Sequence, residues 1–148
     1  MRFSDARKRD VVATDTAETI GRVDALVVDP ERARVSAVRL AKVDGDDPFV
    51  SFDDLVAFGQ DVVTVPSADV LRGPLDDRER GVAKDYAVLG KRVLDDSGRE
   101  HGEVQDVEFD PEDGAVRALV TGRGEIAGGR LLGVGSYAVI VTRAPAQQ

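Results

Sequence analysis

Much of this chain is written twice. Gly21-Arg-Val-Asp-Ala-Leu-Val-Val-Asp29-Pro30-Glu31 lies without a gap on Gly102-Glu-Val-Gln-Asp-Val-Glu-Phe-Asp110-Pro111-Glu112, at an offset of 81 residues. Between Val12 and Leu40, nine of 29 positions are identical at that offset, against about two expected by chance from average residue usage. A repeat constrains architecture before any single residue is interpreted, because each copy is one structural unit that must bury its apolar face against something. Each copy spans about 65 residues, a size at which an isolated core is marginal. The two copies are therefore expected to pack on each other or on a partner.

The periodicity inside each copy is that of strands. Val35–Ala41 and Val116–Thr121 are short, rich in β-branched residues and bounded by turn formers. Val23–Val28 and Val104–Phe109 precede them, joined through Asp29-Pro30 and Asp110-Pro111. Asp-Pro opens a turn because the aspartate can bond nearby N–H groups while proline presets φ, so each copy contains a hairpin. Val11–Thr14 and Arg92–Leu94 supply an earlier strand, and Phe49–Phe52, Val62–Val65, Leu131–Leu132 and Ala138–Thr142 supply later ones. About five short strands per copy predict an all-β fold of two small barrels or sandwiches in tandem, related by a pseudo-twofold. The repeated positions Gly21, Val23, Asp29 and Pro30, with Gly102, Val104, Asp110 and Pro111, read as structural. Helix is expected only as single turns. Ser51-Phe-Asp-Asp54 has the form of a capping box before Leu55.

The expected boundaries are a first repeat over 1–73, an exposed polar linker over 74–86, a second repeat over 87–144 and a frayed tail over 145–148. The copies are unequal beyond their hairpins. Gly59 aligns with Gly135 only at an offset of 76, so the second copy is about five residues shorter there, and glycines crowd the Gly122–Gly135 stretch.

Twenty-eight acidic residues against 20 basic ones leave a net charge of −8, which repels phosphate backbones and disfavours direct nucleic-acid binding. There is no cysteine, hence no disulfide framework or thiol chemistry. No apolar run reaches the 18 or so residues of a membrane span, and no signal-peptide pattern opens the chain. A cytoplasmic protein without a transmembrane segment is the expectation.

Leu89-Gly90-Lys91-Arg-Val-Leu-Asp-Asp-Ser-Gly98, followed by Gly102-Glu-Val104-Gln-Asp106 and Asp110, resembles the opening of a PRC-barrel. Val12 to Asp29 resembles the same opening without a leading Leu-Gly-Lys. Phe49-Val-Ser-Phe-Asp-Asp-Leu55 and Asp61-Val-Val-Thr-Val65 resemble the family's closing strands. Nearly the whole chain is covered, in the arrangement of the tandem PRC-barrel proteins of bacteria, especially actinobacteria. The resemblance implies a small six-stranded β-barrel used as a binding or adaptor module. The family includes the cytoplasmic domain of the photosynthetic reaction-centre H subunit and the C-terminal domain of the ribosome maturation factor RimM. The chain departs from both, having no apolar helix ahead of its first copy and a second PRC-like copy where RimM has a different barrel.

Candidate chemistry is sparse. His101 is the only histidine and falls at the end of a turn, so a solvent-exposed turn residue is expected. The aspartates at 44, 46 and 47, at 53 and 54, at 76 and 77, and at 95 and 96 follow no calcium-loop spacing. Gly122-Arg-Gly124-Glu-Ile-Ala-Gly128 is a loose dinucleotide-type pattern, but glycines follow it where a phosphate loop needs a helix N-terminus. The aromatic residues, Tyr86 and Tyr137 included, are expected mostly in the core. The predicted role is non-enzymatic, a scaffold or adaptor without cofactor or metal that binds an unidentified protein partner. Homo-oligomerisation is open to so small a unit. A ribosome-associated factor acting through a ribosomal protein is the alternative. The candidate partner-binding loops are Phe58, expected to be exposed, with Gly59, and Gly124, Gly128 and Gly129.

Overall fold

Alternate burial along short β-branched runs produces the sheets of this protein. The computed structural model describes residues 1–82 and 88–143. Tyr86, the end of the expected linker and the tail at 145–148 lie outside the described residues. The first repeat comprises β1 (Asp10–Ala13), β2 (Glu18–Asp29), β3 (Arg34–Ala41), β4 (Phe49–Ser51), β5 (Ala57–Phe58) and β6 (Val63–Val65). The second comprises β7 (Arg92–Asp95), β8 (Glu100–Phe109), β9 (Val116–Thr121), β10 (Gly124–Ala127), β11 (Leu131–Val134) and β12 (Val139–Val141). A one-turn helix α1 (Phe3–Ala6) opens the chain, and α2 (Asp77–Val82) follows the first repeat.

Each repeat forms one six-stranded sheet, ordered β4-β3-β2-β1-β6-β5 and β10-β9-β8-β7-β12-β11. All neighbours are antiparallel except β1 with β6 and β7 with β12. The long second strand bulges at equivalent places in both repeats, at Val23/Ala25 and Val27/Val28 and again at Val104/Asp106 and Glu108/Phe109. Bulges add twist and bend a strand, so both sheets coil. Short 3₁₀ turns at Phe52–Asp54 and Gly128–Arg130 cross the seam between the two edge strands. Six strands per repeat replace the five read from sequence. The missed ones are β5, two residues long, and β10, hidden among glycines.

Asp29 and Asp110 behave as turn openers, accepting the Glu31 and Glu112 amides at 3.0 and 2.8 Å. Gly21 and Gly102 are identical for different reasons. A Cβ on Gly21 would meet Val43 and the Ala41 carbonyl at 3.0 and 3.1 Å, whereas Gly102 adopts φ +91°. The first strand corrects the gapless repeat. Val11 pairs with Val63 as Val93 pairs with Val139, so Val11, not Val12, is the counterpart of Val93. The turn after β7 is one residue shorter, which places buried Asp95 where the first repeat has buried Ala13.

The repeats join across a local pseudo-dyad. Val35 donates its amide to Gly114 at 2.7 Å, and Val116 donates to Ala33 at 2.8 Å. Those two bonds exchange under the offset of 81, with Arg34 opposite Ala115 at the centre. One hydrophobic cluster then runs through both repeats, from Val11, Val23 and Val63 to Val93, Leu119 and Val139. Two marginal cores thus become one.

The described part of the linker is exposed at 74–77 and Arg80 but is anchored at Glu79 and Gly81. Glu79 is only 4% exposed, and its segment packs α2 against β2. The outer face beneath holds a separate small cluster of Val27, Ala37 and Phe49. Burying that apolar face is the physical reason the polar-looking segment folds back. Ser51 does not cap the turn that follows; its hydroxyl accepts Arg72 instead.

Candidate functional site

The sequence candidates fall into two groups. Phe58 is buried, 6% exposed, stacked on Phe52 at 6.3 Å and edge-on to Phe109 at 5.2 Å. The expectation of an exposed aromatic is therefore overturned, because β5 turns Phe58 inward to fill the junction between repeats. Gly59 shapes the turn that follows. Its carbonyl accepts Arg9 at 2.5 Å, and a Cβ there would come within 2.7 Å of the Val62 carbonyl. Gly128 is also internal, with room for no side chain at all, since a Cβ would sit 1.8 Å from the Val116 carbonyl oxygen. Gly124 and Gly129 are exposed; Gly124 opens β10 and Gly129 lies in the 3₁₀ turn that follows it.

His101 is on β8, not free in a turn. Its Nε2 lies 2.9 Å from Asp95 Oδ2. Asp95 Oδ1 also accepts the Ser97 amide and hydroxyl at 2.9 and 2.5 Å and the Arg99 amide at 3.1 Å. The His101 hydrogen bond, then that from Ser97, hold the Asp95 carboxyl well below the usual carboxylate range. Nucleophilic catalysis needs the imidazole to reach the serine hydroxyl. Here the carboxylate stands between them, so the constellation pins a turn. Among the described residues no three His, Cys, Asp or Glu side chains converge as a cation site. The glycine-rich stretch folds as β10, a three-residue 3₁₀ turn and β11, so its backbone N–H groups do not form a helical phosphate cradle. A small cleft of about 130 Å³ lies between α1, β2 and β8, lined by Phe3, Arg7, Asp24, Leu26, Leu89 and Val107.

The most informative difference between repeats is at the outer edge of the sheets. Phe49 on β4 exchanges two main-chain hydrogen bonds with Arg72, each 2.9 Å. The Arg72 guanidinium is held by Ser51 at 3.0 and 2.9 Å and by Glu79 at 2.6 and 2.9 Å. Glu79 also accepts the Leu75 amide at 2.9 Å. The β4 edge is thereby capped by the chain itself.

Glu125 takes the place of Phe49 in the second repeat. It faces Val120 on β9 as Phe49 faces Arg39 on β3. Antiparallel pairing alternates bonded and non-bonded pairs, so the Glu125 N–H and C=O point away from β9 as those of Phe49 point away from β3. Among the described residues nothing pairs with them. The outer face is polar as well, with Glu108 and Glu125 replacing Val27 and Phe49. Arg2 reaches them at 3.5 and 3.6 Å, and the Ser4 amide bonds Asp106 at 3.0 Å. Other exposed apolar side chains are Val56, just before β5, Leu132, at the equivalent position on β11, and Leu75 and Tyr137.

Sequence reading did not find the Arg72–Glu79–Ser51 network. Its members are scattered in a segment whose composition signals only solvation, and nothing in the spacing shows that Glu79 is enclosed. Residues 81–143 match the PRC-barrel domain family, which covers the second repeat. No curated protein matches the chain. Among the described residues no helix is long and apolar enough to cross a membrane.

Proposed function

We propose that this chain is a non-enzymatic protein-binding module, an adaptor or scaffold that uses one repeat as a brace and the other as a docking surface. The reading rests on one observation. The outer edge of the first sheet is closed by Arg72, while the equivalent edge of the second carries no partner among the described residues. An unpaired strand edge is a template for another strand. The core favours the same reading, since the inward side chains Val11, Val63, Val93, Val139 and Val141 are fully buried against each other and fill the sheets' interiors. What distinguishes the outer edges of the two repeats is on the surface.

The test is affinity purification from cells that naturally make the protein, with a photo-crosslinking residue at Glu125 and, in a second sample, at Asp15 in the first repeat. A reproducible protein adduct from Glu125 but not from Asp15 is expected. Recovery of no protein partner from either sample would refute the adaptor reading.

A further inference from the structure

We infer that the β10 edge receives an extended peptide segment that places a basic residue opposite Glu125. The inference deepens the adaptor reading and rests on it. Its template is inside the molecule, because the equivalent edge already shows its occupant. That occupant is an extended residue, Arg72, which exchanges both main-chain bonds with Phe49 and whose cationic side chain lies over the edge onto Ser51 and Glu79.

The second repeat keeps the backbone half of this arrangement. Glu125 occupies the register of Phe49, and its N–H and C=O are unpaired among the described residues. Small neighbours leave room for a strand to approach. Gly124 has nothing within 4 Å of where a Cβ would stand, and Gly129 likewise, while Ala127 replaces Ser51. The side-chain half is rebuilt with opposite geometry. In the first repeat the visiting residue is the cation and the receiving acid, Glu79, comes from the linker. In the second the acid is on the edge strand. Glu125 is 59% exposed, and its one ionic contact among the described residues is Arg2 at 3.6 Å. Arg2 approaches from the sheet face, where it is shared with Glu108, so no described residue occupies the edge side of Glu125. Opposite charges directly across antiparallel strands attract and like charges repel. The net charge of −8 also draws cationic segments and repels acidic ones.

The experiment uses the full chain, labelled with nitrogen-15, and three acetylated nine-residue peptides of alternating threonine and valine. They differ only at the central position, which is arginine, alanine or glutamate. The arginine peptide is expected to shift the amide signals of residues 124–127 and to bind about threefold more tightly than the alanine peptide, with the glutamate peptide weakest. Glu125→Pro removes the outward N–H without touching the β9 pairing and should abolish binding. Glu125→Lys keeps the backbone and should invert the order of the three peptides, so the inference stays testable if the proline variant does not fold.

Equal binding of all three peptides, or shifts centred on β11 or elsewhere, would overturn it. So would signals of 124–127 that move with protein concentration alone, which would make the occupant a second copy. Binding that appears only after removal of residues 144–148 would give the edge to the chain's own end and overturn it too. If no peptide binds while a partner is still crosslinked in cells, this inference fails and the adaptor reading stands.

Discussion

Replacing Phe58 by alanine separates a structural residue from a partner contact. Phe58 is 6% exposed, so the substitution removes a nearly complete buried ring. Large-to-small changes of this kind cost about 3–5 kcal/mol, and the edge-to-face contact with Phe109 at 5.2 Å adds about 0.5–1.5 kcal/mol of geometry-specific attraction. Some relaxation of neighbouring side chains is expected at a junction, so the working figure is about 4 kcal/mol. For a chain of this size that lowers the thermal midpoint by about 8–16 °C and takes a large share of a typical stability of about 5–15 kcal/mol. Urea unfolding followed by circular dichroism measures it. Because Phe58 belongs to the first repeat and Phe109 to the second, the wild type should unfold in one transition, and the double cycle of Phe58→Leu with Phe109→Leu should give a coupling of about 1 kcal/mol. A loss under about 1 kcal/mol for Phe58→Ala, or no coupling to Phe109, would show that the ring is not the wedge between repeats.

Three further outcomes follow from the same geometry. Gly128→Ala must push a methyl group into the Val116 carbonyl, 1.8 Å away, and should cost about 3 kcal/mol, whereas Gly129→Ala, with open space around it, should stay within about 0.5 kcal/mol; urea midpoints of the two variants decide this. Glu79→Ala strips the anion from a mostly buried Arg72 and orphans the Leu75 amide, a local loss of about 2–3 kcal/mol once the partial exposure of Arg72 is allowed for. Hydrogen exchange at the Phe49 and Arg72 amides should accelerate by about two orders of magnitude while core amides stay protected. Asp95 is held below the ordinary carboxylate range by His101 and Ser97, so its contribution is full above about pH 4, the unfolded value, and is lost as pH falls further. The stability gap between wild type and Asp95→Asn should therefore narrow below pH 4; a gap that persists unchanged to pH 2 would refute the role given to that turn.

The repeated positions were the most legible part of the molecule, and for a physical reason. Turn openers such as Asp29 and Asp110 act through their own backbone, and apolar alternation reports which face of a strand is buried, so both can be read locally. Strands that depend on distant partners were not legible. β5 is only two residues long and exists because β6 lies beside it, while β10 is a glycine-flanked run that becomes a strand only against β9. Phe58 was misjudged because its burial comes from Phe109, far along the chain. Glu79 was missed for the same cause. A charged residue in a polar stretch reads as solvated unless the apolar face beneath it, made by Val27, Ala37 and Phe49, is known to need a cover.

That last dependence explains why the repeats diverged as they did. Val27 and Phe49 make the outer face of the first sheet apolar, so the segment after it must fold back, and once it does Arg72 falls on the β4 edge and closes it. Glu108 and Glu125 make the same face of the second sheet polar, and it is served by the short N-terminal stretch around Arg2 and Ser4, which pairs with β8 at Glu108 and not with β10. One substitution pattern on a sheet face thus sets the state of a sheet edge. Reversing it is a direct check on the causal order. Introducing Glu108→Val and Glu125→Phe together should create an apolar face that the short, polar N-terminal stretch around Arg2 does not match, and the protein should self-associate. If instead that double variant stays monomeric by sedimentation, the polarity of the face is not what keeps the second edge available.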